Sequence, residues 1–401
     1  MVTPVRKLIK QLLLRYGGYT TARKANARLE YRRLIQRYIR FIETGCAALP
    51  DRVILEPTQR CNLRCKMCFQ DRKAMSASNE LNHEQITRFF DLNPYLRKVT
   101  FIGGEVFVRH DIMDILRHLN RTRDIVICTN GTLIGEAEVR ALKQFGRIYT
   151  ICISLDGPRE IHDSIRQSSG SYDKAVRAIS LLAREIPVTV NLVIQGENIL
   201  FMPDLIDLCA SMQVKKVKIE MERIFSSEKR DSAISEFGLL PSDIPLAIKG
   251  RVRQYPVDTL RNLLGEARAR GKRRGIDVYI DPPYLIEDLD ACYSDTALAS
   301  RRFICQKINT ATLAPNGDLV HCLHIRKPFG NIMSAPLEEI WNSENAKAFR
   351  RRLLVNNLTP LCENCPFMSP APDSILRRIP ALESRLASVR LNGAGVRRTK
   401  R

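Results

Sequence analysis

Cys61-Asn62-Leu63-Arg64-Cys65-Lys66-Met67-Cys68 decides the reading of this chain. Three thiolates this close suit three irons of a four-iron cluster, and no fourth cysteine stands nearby. Iron–sulfur clusters are normally held by four thiolates, so three leave one iron open to a substrate or cofactor. The same open-position logic separates catalytic from structural zinc sites. A zinc knuckle is the competing reading of these three residues.

Working outward, short apolar runs alternate with helical stretches. Strands fit Val53–Glu56, Lys98–Ile102, Ile125–Cys128, Tyr149–Ser154, Val188–Val193 and Val217–Glu220. Helices fit near His83–Leu92, Ile112–Leu119, Glu136–Phe145, Tyr172–Arg184 and Pro203–Met212. Six such units with β-branched strands predict an α/β fold with a parallel sheet. Ligands then belong at the C-terminal strand ends. The motifs fall there: the cysteine loop, Gly103-Gly104-Glu105, Thr129-Asn130-Gly131 and Ser154-Leu155-Asp156-Gly157 follow the first four strands in turn.

The Cys-x3-Cys-x2-Cys spacing and the Gly-Gly-Glu run resemble the radical S-adenosylmethionine (radical SAM) superfamily. The resemblance implies a partial (βα)6 barrel over residues 51–222. It implies a [4Fe–4S] cluster on Cys61, Cys65 and Cys68 whose open iron is chelated by SAM. An electron from the cluster then cleaves the sulfonium to a 5′-deoxyadenosyl radical, and a reducing electron-transfer protein is the implied donor. Gly103, Gly104 and Glu105 are expected to hold the SAM amino group, the glycines by letting a ligand approach the backbone and Glu105 as an acceptor. Ser154, Asp156 and Asn130 are expected to serve the ribose. Arg166, in the run Ile161 to Arg166, is expected to pair with the SAM carboxylate, since guanidinium binds carboxylate bidentately. Met67 stands where many members carry an aromatic residue, and its thioether suits packing on adenine.

A second cysteine set comprises Cys305, Cys322, Cys362 and Cys365, with Gly330-Asn331-Ile332 and Glu339-Ile340-Trp341-Asn342 between. It resembles the SPASM/Twitch extension of radical SAM enzymes and implies one auxiliary [4Fe–4S] cluster on four thiolates. The shorter Twitch form fits better, because no cysteine follows Cys365. A four-cysteine zinc site remains open. His324, beside Cys322, is the candidate base near the substrate. Cys128, Cys152, Cys46 and Cys209 read as core residues, and Cys292 as a spare.

The 401 residues divide into a basic helical extension (1–50), the barrel (51–222), an insertion or linker (223–300), the auxiliary cluster domain (301–370) and a basic tail (371–401). Charge is concentrated at the ends. Residues 1–40 carry a net +10 and residues 376–401 a net +7, leaving about +4 of the total +21 for the rest. Residues 5–16 and 22–42 read as helices broken at Gly17-Gly18. Tyr31, Leu34, Ile35, Tyr38, Ile39 and Ile42 form an apolar stripe on the second. Such a helix either lies on an anionic membrane surface or packs on the domain that follows.

Twelve cysteines without a secretory signal read as a reducing, cytoplasmic setting, with peripheral attachment to the inner membrane face as the variant. The function expected is hydrogen abstraction from a polar small molecule, with net oxidation aided by the auxiliary cluster. The alternative substrate is a ribosomal peptide, although no leader-binding domain is recognisable at the N-terminus. A different class is a non-catalytic iron–sulfur sensor binding nucleic acid through basic ends. A complete SAM-binding constellation speaks against it.

Overall fold

The computed structural model describes residues 19–69, 79–246, 255–281, 289–290, 302–363 and 365–380. The helix expected at 5–16, the Gly17-Gly18 break, Cys292 and the tail from 381 onward lie outside the described residues.

Helix α1 (Tyr19–Thr44) precedes the alternating body. There follow β1 (Arg52–Leu55), α2 (His83–Leu92), β2 (Lys98–Phe101), α3 (Ile112–Leu119), β3 (Asp124–Thr129), α4 (Glu136–Lys143) and β4 (Ile148–Ser154). Next come α5 (Arg159–Arg166), α6 (Ser171–Leu182), β5 (Val188–Ile194), α7 (Met202–Ser211) and β6 (Lys216–Met221). Local chemistry starts these helices where the sequence places them. Asn82 and Gln85 form a reciprocal capping box at the head of α2, satisfying two amides that lack helical partners. In α5, His162, Ile165 and Arg166 share one buried face at helical spacing.

Strands β1 to β6 run parallel in chain order, and their apolar residues meet the surrounding helices. The segment expected as an insertion contributes more than a linker. It forms α8 (Ser227–Phe237), α9 (Val257–Arg274) and β7 (Asp277–Asp281), and β7 pairs parallel with β6 as a seventh strand. Helix α9 lies against this edge so closely that a Cβ on Gly271 would come within 2.4 Å of Val278.

The C-terminal region contains β8 (Phe303–Cys305), β9 (Thr310–Leu313), β10 (Asp318–Val320), β11 (Pro328–Asn331), α10 (Leu337–Trp341), α11 (Glu344–Val355), β12 (Met368–Pro370) and α12 (Asp373–Leu376). Strand β9 pairs parallel with β1, so this region extends the barrel sheet: among the described residues the order is β11-β10-β9-β1-β2-β3-β4-β5-β6-β7. Arg326 and the buried Glu56 pair at 2.6 Å across this junction.

The stripe on α1 is spent on packing. Leu34, Tyr38, Phe41 and Ile42 are buried, each worth roughly 1.5–3 kcal/mol for the largest side chains. The Tyr38 hydroxyl donates to the Cys305 carbonyl (2.7 Å) and accepts from the Cys305 amide (3.0 Å). The apolar face proposed for a membrane therefore covers the C-terminal domain instead. No helix among the described residues is long and apolar enough to cross a membrane.

Candidate cluster and SAM site

The loop bearing Cys61, Cys65 and Cys68 leaves β1 and is held from two sides. Asn62 accepts a hydrogen bond from the Asn130 side chain at 3.0 Å, tying the loop to the end of β3. Lys66 donates from its amide to the Ile165 carbonyl (2.8 Å), and its ammonium pairs with Glu197 (2.9 Å). The three thiols lie close enough to feel one another's charge, and burial pushes Cys61 up to about 11. A neutral buried thiol must lose its proton to ligate, so metal binding here releases protons.

Gly103 and Gly104 pass close against the chain that enters the cysteine loop. A Cβ on Gly103, whose φ is +151°, would lie 2.2 Å from the Thr58 carbonyl oxygen. One on Gly104 would lie 2.1 Å from that of Arg60. The Gly104 amide donates to Thr58 (3.1 Å) and the Glu105 amide to Arg60 (2.8 Å). The glycines thus admit the backbone that leads into the cysteine loop. Backbone contact this tight is open only to residues without a side chain.

Glu105 is buried and already engaged. Its carboxylate accepts from Thr129 Oγ1 (2.7 Å), the Asn130 amide (2.7 Å) and the Phe107 amide (3.2 Å). Burial pushes its carboxyl up, while these donors and Arg166 pull it down. A carboxylate offers about four lone-pair sites, so acceptor capacity remains for one ammonium proton.

Asp156, just beyond the end of β4, is tied to Arg166. It is fully buried and receives Arg166 Nε at 2.6 Å. Arg166 Nη1 reaches Cys65 Sγ at 3.6 Å. Burial opposes the Arg166 charge, but Asp156 and Cys65 hold the guanidinium firmly protonated. His162 Nδ1 accepts from the Asp156 amide at 3.1 Å, and burial keeps its ring neutral, down to about 4. Asp156 therefore aims Arg166 at the cysteine loop. Asn130 is likewise committed to the Asn62 and Thr132 contacts. Ser154 ends β4 half-buried, and Met67 is buried within the loop.

The second set also converges. Cys305, Cys322, Cys362 and Cys365 line one cavity together with Lys307, His321 and His324. Burial raises the thiols of Cys305 and Cys362, the latter to about 12. No three described His, Cys, Asp or Glu side chains meet at the spacing of a single bound ion. A cluster fits this site on the shared cavity and the all-sulfur donor set.

His324 is buried beside Arg223. Its Nε2 faces Arg223 Nη1, which has only protons to offer, so the ring accepts there. Burial first, then Arg223 and Lys307, push its pKa well below the ordinary histidine value. The ring packs edge-on to Phe69 at 5.0 Å and against Phe225 at 5.3 Å.

Several residues here escaped the sequence reading. Lys307, Arg223, His162 and the Glu56–Arg326 pair are scattered charges or rings without ligand spacing. Only Lys307 leaves a trace, as the one charge in the apolar run Phe303 to Ile308.

Residues 55–209 match the radical SAM superfamily, and residues 305–366 match SPASM, an iron–sulfur cluster-binding domain. The chain carries a radical SAM domain and a SPASM domain, with the SAM-binding [4Fe–4S] cluster, SAM and auxiliary cluster binding that these imply. It is 32% identical to the Fe-coproporphyrin III synthase of Methanosarcina barkeri over 169 residues, 41% of this chain and 42% of that protein. The chain thus matches less than half the length of that relative. It is 25% identical to the PqqA peptide cyclase of Granulibacter bethesdensis over 325 residues, 79% of each chain. Among solved structures, Streptococcus suis SuiB bound to its precursor peptide SuiA shares the fold, with a TM-score of 0.59 at 16% identity, over 78% of this chain and 69% of that one.

Proposed function

We infer that this chain is a radical SAM oxidoreductase acting on a polar substrate held in the bore of the barrel. Cys61, Cys65 and Cys68 hold the SAM-binding cluster, and Cys305, Cys322, Cys362 and Cys365 hold one auxiliary cluster. When bound, cluster and SAM supply a 5′-deoxyadenosyl radical able to take hydrogen from an unactivated C–H bond. Glu105 receives the SAM ammonium and Arg166 its carboxylate, with Asp156 and His162 fixing the guanidinium. Ser154 remains for the ribose. An external reducing electron-transfer protein feeds the first cluster. The SAM barrel is taken as 51–222 and the auxiliary domain as 301–370, with α8, α9 and β7 of the intervening segment at the barrel edge.

The observation that carries the polar substrate is the lining of the bore. On β6, Val217, Ile219 and Met221 join the core, so Lys218 and Glu220 point the other way. Lys218 pairs with Glu220 and with Asp281 at 2.7 Å on the neighbouring strand. Among the described residues, Asn191 Oδ1 and Asp281 Oδ1 accept no hydrogen bond. Buried acceptors without donors cost free energy until a partner arrives. They favour a substrate presenting hydroxyl, amine or amide hydrogens.

A second reading is a peptide substrate. It draws on the relative named PqqA peptide cyclase, which aligns over 79% of both chains. Anaerobic incubation with SAM and dithionite tests both readings. Release of 5′-deoxyadenosine is expected, stimulated by either a polar metabolite fraction or a co-encoded peptide. A reconstituted protein that releases none is a sensor or scaffold, and the enzymatic reading is lost.

A further inference from the structure

Lys307 is buried to 2% exposure on the wall of the cavity that the four C-terminal cysteines share. It follows Cys305 by two residues, and its amide donates to Cys305 Sγ at 3.4 Å. Its ammonium lies 4.1 Å from the centre of the Phe367 ring and 3.4 Å from Thr312 Oγ1. Among the described residues it forms no ion pair with a carboxylate; Glu56, which feels its charge, is taken by Arg326. Burial lowers the pKa of Lys307, and the groups that favour its charge are Cys322, Cys305 and Cys365. A buried ammonium without a carboxylate is costly unless another anion offsets it. On the cluster reading, the ligating thiolates of the cysteine set would be that anion.

We propose that Lys307 is a positioning residue whose ammonium, held on the wall of the cysteine cavity, sets the reduction potential of the auxiliary cluster. The proposal rests on the reading that these four cysteines hold a cluster. Reduction adds one negative charge to the cluster, and a cation beside it in a water-poor cavity stabilises the reduced form more than the oxidised one. Net charge and solvent exposure are among the levers on such potentials. Lys307 therefore raises the potential and makes the auxiliary site a better acceptor for an electron leaving an oxidised substrate.

The test is a potentiometric titration of the full chain, anaerobically reconstituted and followed by electron paramagnetic resonance. The auxiliary signal is the one that added SAM leaves unchanged. Lys307→Met preserves the side chain's length and removes its charge. It is expected to make the auxiliary reduction equilibrium about tenfold less favourable, a shift of about 59 mV for one electron, with iron content unchanged. Lys307→Arg is expected to keep the parent potential. An unchanged midpoint in an iron-replete Lys307→Met protein overturns the proposal. So does an equal shift in Lys307→Arg, which shows a packing effect. If Lys307→Met and the more conservative Lys307→Gln both lose the auxiliary iron, the residue serves assembly and the proposal also fails. A parent protein holding only one cluster shows instead that the four-cysteine reading is wrong, a result distinct from any of these.

Discussion

Phe69, one residue beyond Cys68, packs edge-on against His324, two residues beyond Cys322, with ring centres 5.0 Å apart. The two cysteine loops, more than 250 residues apart in sequence, therefore share a wall. Pairing of β9 with β1 holds that wall in register.

Iron content is the first expected outcome. Two cysteine sets imply about eight irons per chain as two four-iron clusters. Changing Cys61, Cys65 and Cys68 together to Ala should leave about half. Iron and zinc analysis of reconstituted protein checks this, and four irons with one zinc would show the C-terminal set to be a zinc site.

Asp156→Asn should weaken SAM binding while leaving the iron in place. It removes the anion that aims Arg166, 2.6 Å from its Nε. A charge-assisted hydrogen bond is worth about 1.5–3 kcal/mol, so affinity should fall by tenfold or more. Equilibrium dialysis against SAM measures it. Unchanged affinity would place the carboxylate of SAM elsewhere.

Glu105→Gln should cost both stability and SAM affinity. An amide nitrogen placed where three protein donors now converge must face a donor, leaving a buried clash worth roughly 1–3 kcal/mol. Thermal melting of the apo protein and SAM titration separate the two effects. A loss of affinity with unaltered melting would mean that the protein contacts are expendable.

Removing residues 1–40 should destabilise the C-terminal domain rather than abolish vesicle binding. The deletion takes away Leu34 and Tyr38, both buried. Tyr38→Phe alone should cost about 1–3 kcal/mol, because the Cys305 amide and carbonyl both lose their buried partner. Sedimentation with anionic vesicles at low salt should leave the full chain in solution. Co-sedimentation would show that the basic ends act apart from the buried stripe.

Acid should destabilise the fold through His162. Its pKa drops from the ordinary 6.5 to about 4 because burial penalises the charged ring, with Asp156, Arg166 and Asp163 acting on it and Tyr172 packed beside it. Between these values the unfolded chain binds more protons, so stability falls as pH drops from 6.5 toward 4 and levels off below. The shift corresponds to roughly 3 kcal/mol. Denaturant titrations of the parent and His162→Gln at pH 7 and pH 4.5 should show a shallower loss in the variant.

The sequence alone pointed to the two cysteine sets and to a body of alternating strands and helices with a parallel sheet. Cysteines at fixed short spacing, and polar motifs after successive apolar strands, are local patterns. They are legible because ligand spacing and two-residue alternation act over a few positions. The two-sided fate of the α1 stripe, the seventh strand at Asp277–Asp281 and the commitment of Asp156 to Arg166 were decided only in three dimensions. An amphipathic face names no partner, and a buried ion pair between residues 156 and 166 looks in sequence like two surface charges. Gly103 and Gly104 show the same division: their lack of side chains is visible in the chain, but what passes against them is the backbone of Thr58 to Arg60. Lys307 and His324 took their surroundings from strands and loops brought together by the β9–β1 pairing, a contact that no periodicity in either segment encodes.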